Sequence, residues 1–269
     1  MGVPGAARGL PVPYAPLDLT GKVAVVTGGT SGIGRALTRG LAEAGADVVP
    51  TSRREDQVAS AAEEVAALGR RTLRLTSDVT DRRTLEDVLR SVVRELGRVD
   101  ILVNCAGRTQ RRPTLELAEE EWNSIVDTNL TGTLRACQVF GRHMLERGSG
   151  RIVNIASLAT FVALYEVAAY SASKAAVGSL TKSLAVEWGP RGVNVNAIAP
   201  GVFPTDLNRK LIEGTPRGNE LLARTPLRRF GRAEELAGAA VFLASDAASF
   251  VNGHVLAVDG GFLASGVNQ

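Results

Sequence analysis

Cysteine and histidine, the residues that most often build disulfide scaffolds and metal centres, are scarce in this chain. Of its 269 residues, two are cysteines, Cys105 and Cys137, and two are histidines. The two thiols lack the CxxC spacing of zinc and redox motifs, and two are too few for a disulfide-stabilised fold. We therefore expect reduced thiols, a cytoplasmic location and no metal site.

Charge of one sign and long apolar runs are also missing. The formal net charge is only +3, with basic and acidic residues interspersed, which argues against a nucleic-acid partner. The chain has no run of about 18 apolar residues, so we expect no membrane span. Its beginning contains Pro and Gly where a signal peptide has its apolar stretch, and we expect residues 1–16 to form a flexible arm.

What the chain does contain is a regular alternation of short β-rich runs and helical patterns from Gly21 onward. Such alternation is typical of βαβ units, in which helices cover both faces of a parallel sheet. The sequence predicts a single doubly wound α/β domain of the Rossmann type over 17–269, with a mostly parallel seven-stranded sheet. The predicted strands are 22–28, 47–52, 71–79, 100–107, 150–157, 193–201 and 254–261. The predicted helices are 33–45, 55–69, 81–96, 119–147, 167–188, 206–223 and 233–244.

The stretch "TGGTSGIG" (27–34) joins the first predicted strand to the first predicted helix. Glycines in such a turn let the backbone approach a pyrophosphate, which the helix N-terminus then stabilises. The spacing differs from GxGxxG, and a glycine-rich turn can also be purely structural. The cofactor contacts predicted in this turn are Gly28, Thr30, Ser31, Gly32, Ile33 and Gly34.

The end of the second strand distinguishes between the two nicotinamide dinucleotides. NAD-binding sites usually carry an acidic residue there, whereas this chain has Ser52, Arg53 and Arg54. Hydroxyl and guanidinium groups bind a 2′-phosphate that an acidic residue would repel, so we expect NADP(H) to be preferred over NAD(H). The alternative is that both arginines are solvated residues at a helix start. The other contacts expected around adenosine are Asp78, which could receive the adenine amino group, Val79, Asn104, Ala106 and Gly107.

The stretch "YSASK" places the phenol of Tyr170 and the ammonium of Lys174 four residues apart, on one helix face. A carbonyl that accepts hydride also needs a proton, and a tyrosine with a pKa of about 10 gives one up poorly near neutral pH. Lowering that pKa to about 7 requires roughly 4 kcal/mol. An ammonium about 4 Å away supplies that energy at an effective dielectric constant of about 20. We therefore expect Lys174 to lower the pKa of Tyr170; the alternative is that both side chains point to solvent.

With "NCAG" (104–107), "VNIAS" (153–157) and "PGVFPT" (200–205), these motifs resemble the short-chain dehydrogenase/reductase family in content and order, over residues 17–269. The resemblance implies hydride transfer between nicotinamide and a ketone or secondary alcohol, with Tyr170 as general acid and base. Ser157 would donate to the substrate oxygen, and Asn129 would hold a water that relays protons to Lys174. One departure is Cys105, where the family commonly has Asn.

The resemblance also implies an assembly and a nicotinamide site. Relatives pair their long helices and last strand across twofold axes, so we expect a homotetramer, with a dimer next. The implied nicotinamide contacts are Tyr170, Lys174, Pro200, Gly201, Val202 and Thr205.

The substrate pocket is the part that the sequence describes least. The segment 158–169 should form its wall and 204–225 a mobile lid, although the latter could be a plain surface excursion. The arginines that follow "NCAG" could bind a carboxylate or phosphate, because guanidinium groups suit such anions, or they could lie on a solvated loop. The run "RRP" and the ending "VDGGFLASG" resemble the family branch that contains gluconate 5-dehydrogenase and deoxygluconate dehydrogenases, which implies a sugar acid or polyol. The alternatives are a 3-oxoacyl thioester reductase and a non-catalytic NADP-binding sensor. The candidate substrate residues are Arg108, Arg111, Arg112, Tyr165 and Glu166.

Overall fold

Seven strands form one sheet in the computed structural model, which describes residues 14–206 and 208–268. They are β1 Val23–Thr27, β2 Asp47–Ser52, β3 Leu75–Thr76, β4 Ile101–Asn104, β5 Gly150–Ile155, β6 Val193–Pro200 and β7 Val255–Val258. Their order is β3-β2-β1-β4-β5-β6-β7, and every neighbouring pair is parallel. The predicted doubly wound α/β fold is therefore confirmed.

In the described part of the chain, nine α-helices connect and cover these strands. They are α1 Gly32–Glu43, α2 Glu55–Ala67, α3 Arg82–Leu96, α4 Glu119–Val126, α5 Gly132–Arg147, α6 Ala168–Trp188, α7 Arg209–Ile212, α8 Pro216–Arg224 and α9 Ala237–Ala244. Within the described part of the chain, no helix is both long enough and apolar enough to cross a membrane.

Helices cover both faces of the sheet, and successive side chains of a strand point to opposite faces, so each apolar strand is buried on both sides. In β1, Ala24 and Val26 belong to the core cluster on the side of α1 and α9. Val23 and Val25 belong to the cluster on the side of α3 and α5. All four are at most 1% exposed, which explains why the strand is a continuous apolar run.

Three predicted elements differ from the observed ones. The strand predicted over 71–79 is reduced to β3, because it lies at the sheet edge and pairs only with the end of β2. The helix predicted over 119–147 is divided into α4 and α5 by a π-helical turn at Asp127–Thr131, in which Gly132 N donates to Asp127 O. The helix predicted over 206–223 consists of α7 and α8, since Gly214 adopts φ +68° and Pro216 cannot continue a helix from the preceding turn.

The arm predicted over 1–16 falls mainly on residues 1–13, which lie outside the described residues. Ala15–Leu17 forms a 3₁₀ turn. The strand order reverses at β1, whose neighbours β2 and β4 lead to opposite halves of the sheet. In sheets of this kind, ligands bind at such a switch point, beyond the carboxyl ends of the strands.

Candidate active site

A cavity of about 280 Å³ opens at the carboxyl ends of β1, β4, β5 and β6. It brings together the glycine turn after β1, the end of β5 and the face of α6 that carries Tyr170. The predicted residues that line it are Gly28, Ser31, Gly32, Ile33, Gly34, Ala106, Gly107, Arg108, Ser157, Tyr170, Lys174, Pro200, Gly201 and Thr205. The lining residues absent from the prediction include Ile155, Ala156, Phe203, Asp206 and Asn208.

The glycine turn is packed too tightly for side chains. A Cβ on Gly34 would lie 2.0 Å from the Gly28 carbonyl oxygen, and one on Gly28 would lie 2.7 Å from the Ala106 Cα. Ser31 is the N-cap of α1, but its side chain makes no capping hydrogen bond, and the first turn contains no acidic residue. The first backbone N–H groups of α1 are therefore available toward the cavity, an arrangement that fits the pyrophosphate of a dinucleotide.

Of the residues predicted around adenosine, Ala106 and Gly107 line the cavity. Those that end or follow β2 and β3 do not line it: Ser52, Arg53, Arg54 and Asp78. Thr30 Oγ1 donates to Ser52 Oγ at 2.9 Å, which ties the glycine turn to the end of β2. The Arg53 side chain is 78% exposed, with its guanidinium 4.0 Å from the Asp78 carboxylate. Arg54 is the N-cap of α2. A basic group thus lies in the open at the position where a 2′-phosphate would be expected.

Three further residues of that prediction have structural contacts. Asp78 Oδ1 accepts from the backbone and hydroxyl of Thr80. Val79 is buried in the core. The Asn104 side chain donates to Asn154 Oδ1 at 2.9 Å inside the sheet.

Lys174 and Tyr170 lie together on α6, as the spacing predicted. The Lys174 ammonium lies 5.9 Å from the centroid of the Tyr170 ring and donates to the Ile155 carbonyl at 2.6 Å. Burial lowers the pKa of Lys174 to about 8.

The predicted direction of the Tyr170 shift is wrong for this structure. Burial raises the pKa of Tyr170 above its ordinary value, and a hydrogen bond with Ser157 opposes this only in part. The physical reason is that a phenolate is poorly stabilised in a desolvated site, and the Lys174 ammonium is directed to a backbone carbonyl.

Ser157 lies at the end of β5, where the chain turns toward the cavity. It is the N-cap of the 3₁₀ turn Leu158–Thr160, and its hydroxyl accepts from Ala159 N at 3.1 Å. Because the same hydroxyl also contacts Tyr170, Ser157 can hold a substrate oxygen next to the phenol.

Asn129 is fully buried in the π-helical turn. Its side chain accepts from Arg108 N at 2.8 Å and donates to Arg108 O at 2.9 Å and Ser173 Oγ at 3.0 Å. These bonds join the loop after β4 to α6. A Cβ on Gly107 would lie 3.4 Å from Asn129 Oδ1 and 3.8 Å from Lys174 Nζ, which places both groups around this glycine.

The segment after β6 closes the cavity on its other side. The Thr205 side chain faces Gly32, whose added Cβ would lie 3.2 Å from the Thr205 methyl carbon. Asn208 Oδ1 accepts from Thr205 N at 2.8 Å and its amide donates to Phe203 O at 3.0 Å. The predicted residue Val202 does not line the cavity; its carbonyl accepts from Gly231 N. Asn208 was missed, although its position three residues after Thr205 is a signal for such a local turn.

Two of the arginines predicted for substrate are paired with carboxylates. Arg111 Nε lies 2.7 Å from Glu166 Oε2, and Arg112 Nη2 lies 3.0 Å from Glu121 Oε1. Arg108, which hydrogen-bonds Ser124, is the member of the candidate substrate set that lines the cavity. The sequence could not supply these pairings, because Glu121 comes from another element, α4.

Known proteins resemble this chain along most of its length. Residues 28–263 match a family described as enoyl-(acyl carrier protein) reductase. The gluconate 5-dehydrogenase of Gluconobacter oxydans (strain 621H) is 42% identical over 248 residues, 92% of this chain and 97% of that protein. The NAD-dependent glycerol dehydrogenase of Listeria innocua serovar 6a is 42% identical over 245 residues, 91% and 95% of the two chains.

The solved structures include a gluconate 5-dehydrogenase from Burkholderia cenocepacia J2315 in complex with NADP and tartrate. It matches with a TM-score of 0.90 and 39% identity, covering 93% of this chain and 98% of that chain. The family resemblance inferred from the motifs is thereby confirmed.

Proposed function

The chain belongs to the short-chain dehydrogenase/reductase family, whose members are oxidoreductases of CH–OH groups, and we propose that it interconverts a secondary alcohol and a ketone on a sugar acid or polyol. One observation carries the proposal: Tyr170, Lys174 and Ser157 line the same cavity as the glycine turn. A proton donor thus lies beside a dinucleotide cradle in one crevice.

The roles of the side chains follow from their positions. A bound nicotinamide supplies or accepts the hydride. Tyr170 gives a proton to the substrate oxygen in reduction and takes it back in oxidation. The Ser157 hydroxyl donates to that oxygen as negative charge develops on it. Lys174 lines the cavity and ties α6 to the end of β5 through the Ile155 carbonyl, and Asn129 fixes the loop after β4 against α6.

Replacing the phenol tests this assignment. Tyr170→Phe should lower kcat by about 10²- to 10⁴-fold while changing the Kd for NADPH little, because the general acid is removed and the cradle is intact. Tyr14→Phe is the matched control, since Tyr14 is exposed and does not line the cavity. Wild-type turnover by Tyr170→Phe would refute the mechanism.

We also propose that NADP(H) is preferred over NAD(H). The support is the absence of an acidic side chain at Ser52, the end of β2, and the exposed guanidinium of Arg53 beside it. The Burkholderia structure contains NADP, whereas the Listeria relative is NAD-dependent, so the preference must be measured. Ser52→Asp should lower kcat/KM for NADPH, because its carboxylate repels the 2′-phosphate. It should raise kcat/KM for NADH, because the same carboxylate accepts a hydrogen bond from the ribose 2′-hydroxyl. A wild-type enzyme that favours NADH would contradict the proposal.

A substrate panel distinguishes the chemical alternatives. Gluconate, D-glucitol, glycerol and a 3-oxoacyl thioester should be offered with both cofactors. The proposal expects turnover of a sugar acid or polyol. Turnover of the thioester alone would favour the acyl reductase, and tight NADPH binding without any turnover would favour a sensor.

For the assembly we propose a cytoplasmic homotetramer. Large apolar side chains are exposed on the elements expected to pair: Leu115 and Trp122 beside or on α4, Val186 on α6, and Phe250 before β7. Covering such side chains stabilises an assembly. A monomeric mass in sedimentation at micromolar concentration would contradict both the tetramer and a dimer.

A further inference from the structure

Side chains from three segments meet in what we call the mouth cluster: Arg111, Tyr165, Glu166 and Arg217. The loop after β4 lines the cavity through Arg108, and α6 lines it through Tyr170, whereas α8 reaches the cluster through Arg217 and does not line the cavity itself. Arg111 follows β4, Tyr165 and Glu166 precede α6, and Arg217 belongs to α8. The Arg217 guanidinium donates to the Tyr165 carbonyl at 3.1 Å. The Arg111 guanidinium pairs with Glu166 and lies 5.8 Å from the centroid of the Tyr165 ring.

Contacts to its backbone carbonyl and to its carboxylate fix the conformation of Glu166. Its φ of +60° lies in the left-handed region, which is costly for a residue with a Cβ. Its carbonyl accepts from Arg112 N at 2.8 Å while its carboxylate binds Arg111. The loop before Tyr170 is therefore fixed with one carboxylate turned toward Arg111.

Charge in the mouth cluster is left unbalanced. Glu166 lies within 4.0 Å of the Arg111 guanidinium, and among the described residues no carboxylate lies that close to Arg217. Burial, followed by the positive charge of Arg111, lowers the pKa of Arg217; Glu220 and Glu166 oppose this at longer range. A half-buried guanidinium beside a second one is stabilised by an added anion.

We propose that Arg217 binds the carboxylate of the substrate and selects sugar acids over neutral polyols. The inference rests on the proposed function and narrows its substrate class. One N–H of Arg217 is used on the Tyr165 carbonyl, and its planar fork has further donors for a carboxylate. Arg111 adds positive potential near Arg217. Because the Arg111 guanidinium is already paired with Glu166, Arg217 is the group that binds the substrate carboxylate.

The test compares gluconate with D-glucitol, which has CH₂OH in place of the carboxylate. Binding to the full-length enzyme with NADP⁺ is measured by calorimetry, and oxidation by steady-state kinetics. Arg217→Gln retains a donor for the Tyr165 carbonyl but has no charge, and Arg217→Lys retains the charge. Lys210→Gln is the matched control, because it removes one positive charge from an exposed position on α7.

Arg217→Gln should weaken gluconate binding and raise its KM by about 10- to 100-fold, with kcat nearly unchanged and D-glucitol unaffected. Arg217→Lys should recover part of the loss, and Lys210→Gln should lose little. Equal losses for both ligands would show a merely structural contact of α8, and no loss for gluconate would also overturn the inference.

The inference and the proposed function can fail separately. If wild-type enzyme oxidises D-glucitol or glycerol but neither binds nor oxidises gluconate, the inference is wrong and the hydride-transfer reaction stands. If no alcohol is oxidised, the proposed function is wrong, and the calorimetric comparison of gluconate with D-glucitol still decides the role of Arg217.

Discussion

Replacing Lys174 with methionine should change how the stability of the protein depends on pH. The lysine is 6% exposed, and burial lowers its pKa from 10.5 to about 8. Each pKa unit corresponds to about 1.4 kcal/mol, so holding the ammonium in this site costs about 3 kcal/mol at neutral pH. Methionine has a similar length and no charge, and it avoids that cost.

The direction of this pH dependence follows from the number of protons bound in the folded and unfolded states. Between about pH 8 and pH 10.5 the unfolded chain keeps the Lys174 proton while the folded protein releases it. Stability therefore rises with pH across this window. From about pH 7 to pH 9.5, the unfolding free energy of the wild type should rise by about 2 kcal/mol relative to that of Lys174→Met.

Urea unfolding at several pH values and one protein concentration measures this difference, provided that the m-values agree. The lost hydrogen bond to the Ile155 carbonyl shifts the comparison at every pH and so leaves its slope unchanged. Lys182→Met, at an exposed position on the same helix, is the control and should show no relative gain. A difference between wild type and Lys174→Met that is constant with pH would refute a desolvated ammonium.

Three other expectations can be checked with single variants. Because burial raises the pKa of Tyr170, the tyrosinate absorbance that distinguishes wild type from Tyr170→Phe should emerge only above about pH 10; its appearance near pH 7 without cofactor would contradict this. Gly141→Ala should cost about 1–3 kcal/mol in urea unfolding, because its Cβ would lie 2.6 Å from a ring atom of Trp188. Gly238→Ala, with nothing within 4 Å on a helix, should be neutral or stabilising, and equal effects would contradict the packing. Burial lowers the pKa of His143, whose Nε2 accepts from a backbone N–H, so the free energy of unfolding should fall as pH drops through 6.5. His143→Gln should flatten that fall, and the same pH dependence of stability in wild type and variant would contradict this.

The fold was predictable because its signals are local and repeated. Each strand is a short apolar run followed by a turn, and α1 and α2 both end before a glycine with positive φ, Gly45 and Gly69. Boundaries were less predictable where the tertiary context decides them. The edge position of β3 shortens a strand that looked long, and the π-helical turn at Asp127–Thr131 is a backbone detail without a residue pattern of its own.

By itself, the sequence determined the parts of the site that depend on spacing within one element. Glycines at the start of α1 and a lysine one turn after a tyrosine specify a cradle and a pair wherever the elements lie. Only the tertiary structure decided the charge environment, since it depends on groups brought together from distant elements. Burial raised the pKa of Tyr170, which the spacing predicted to be lowered. Glu166 and Glu121 form ion pairs with Arg111 and Arg112, and α8 places Arg217 in the mouth cluster. Desolvation and pairing depend on three-dimensional proximity, which a linear pattern does not contain.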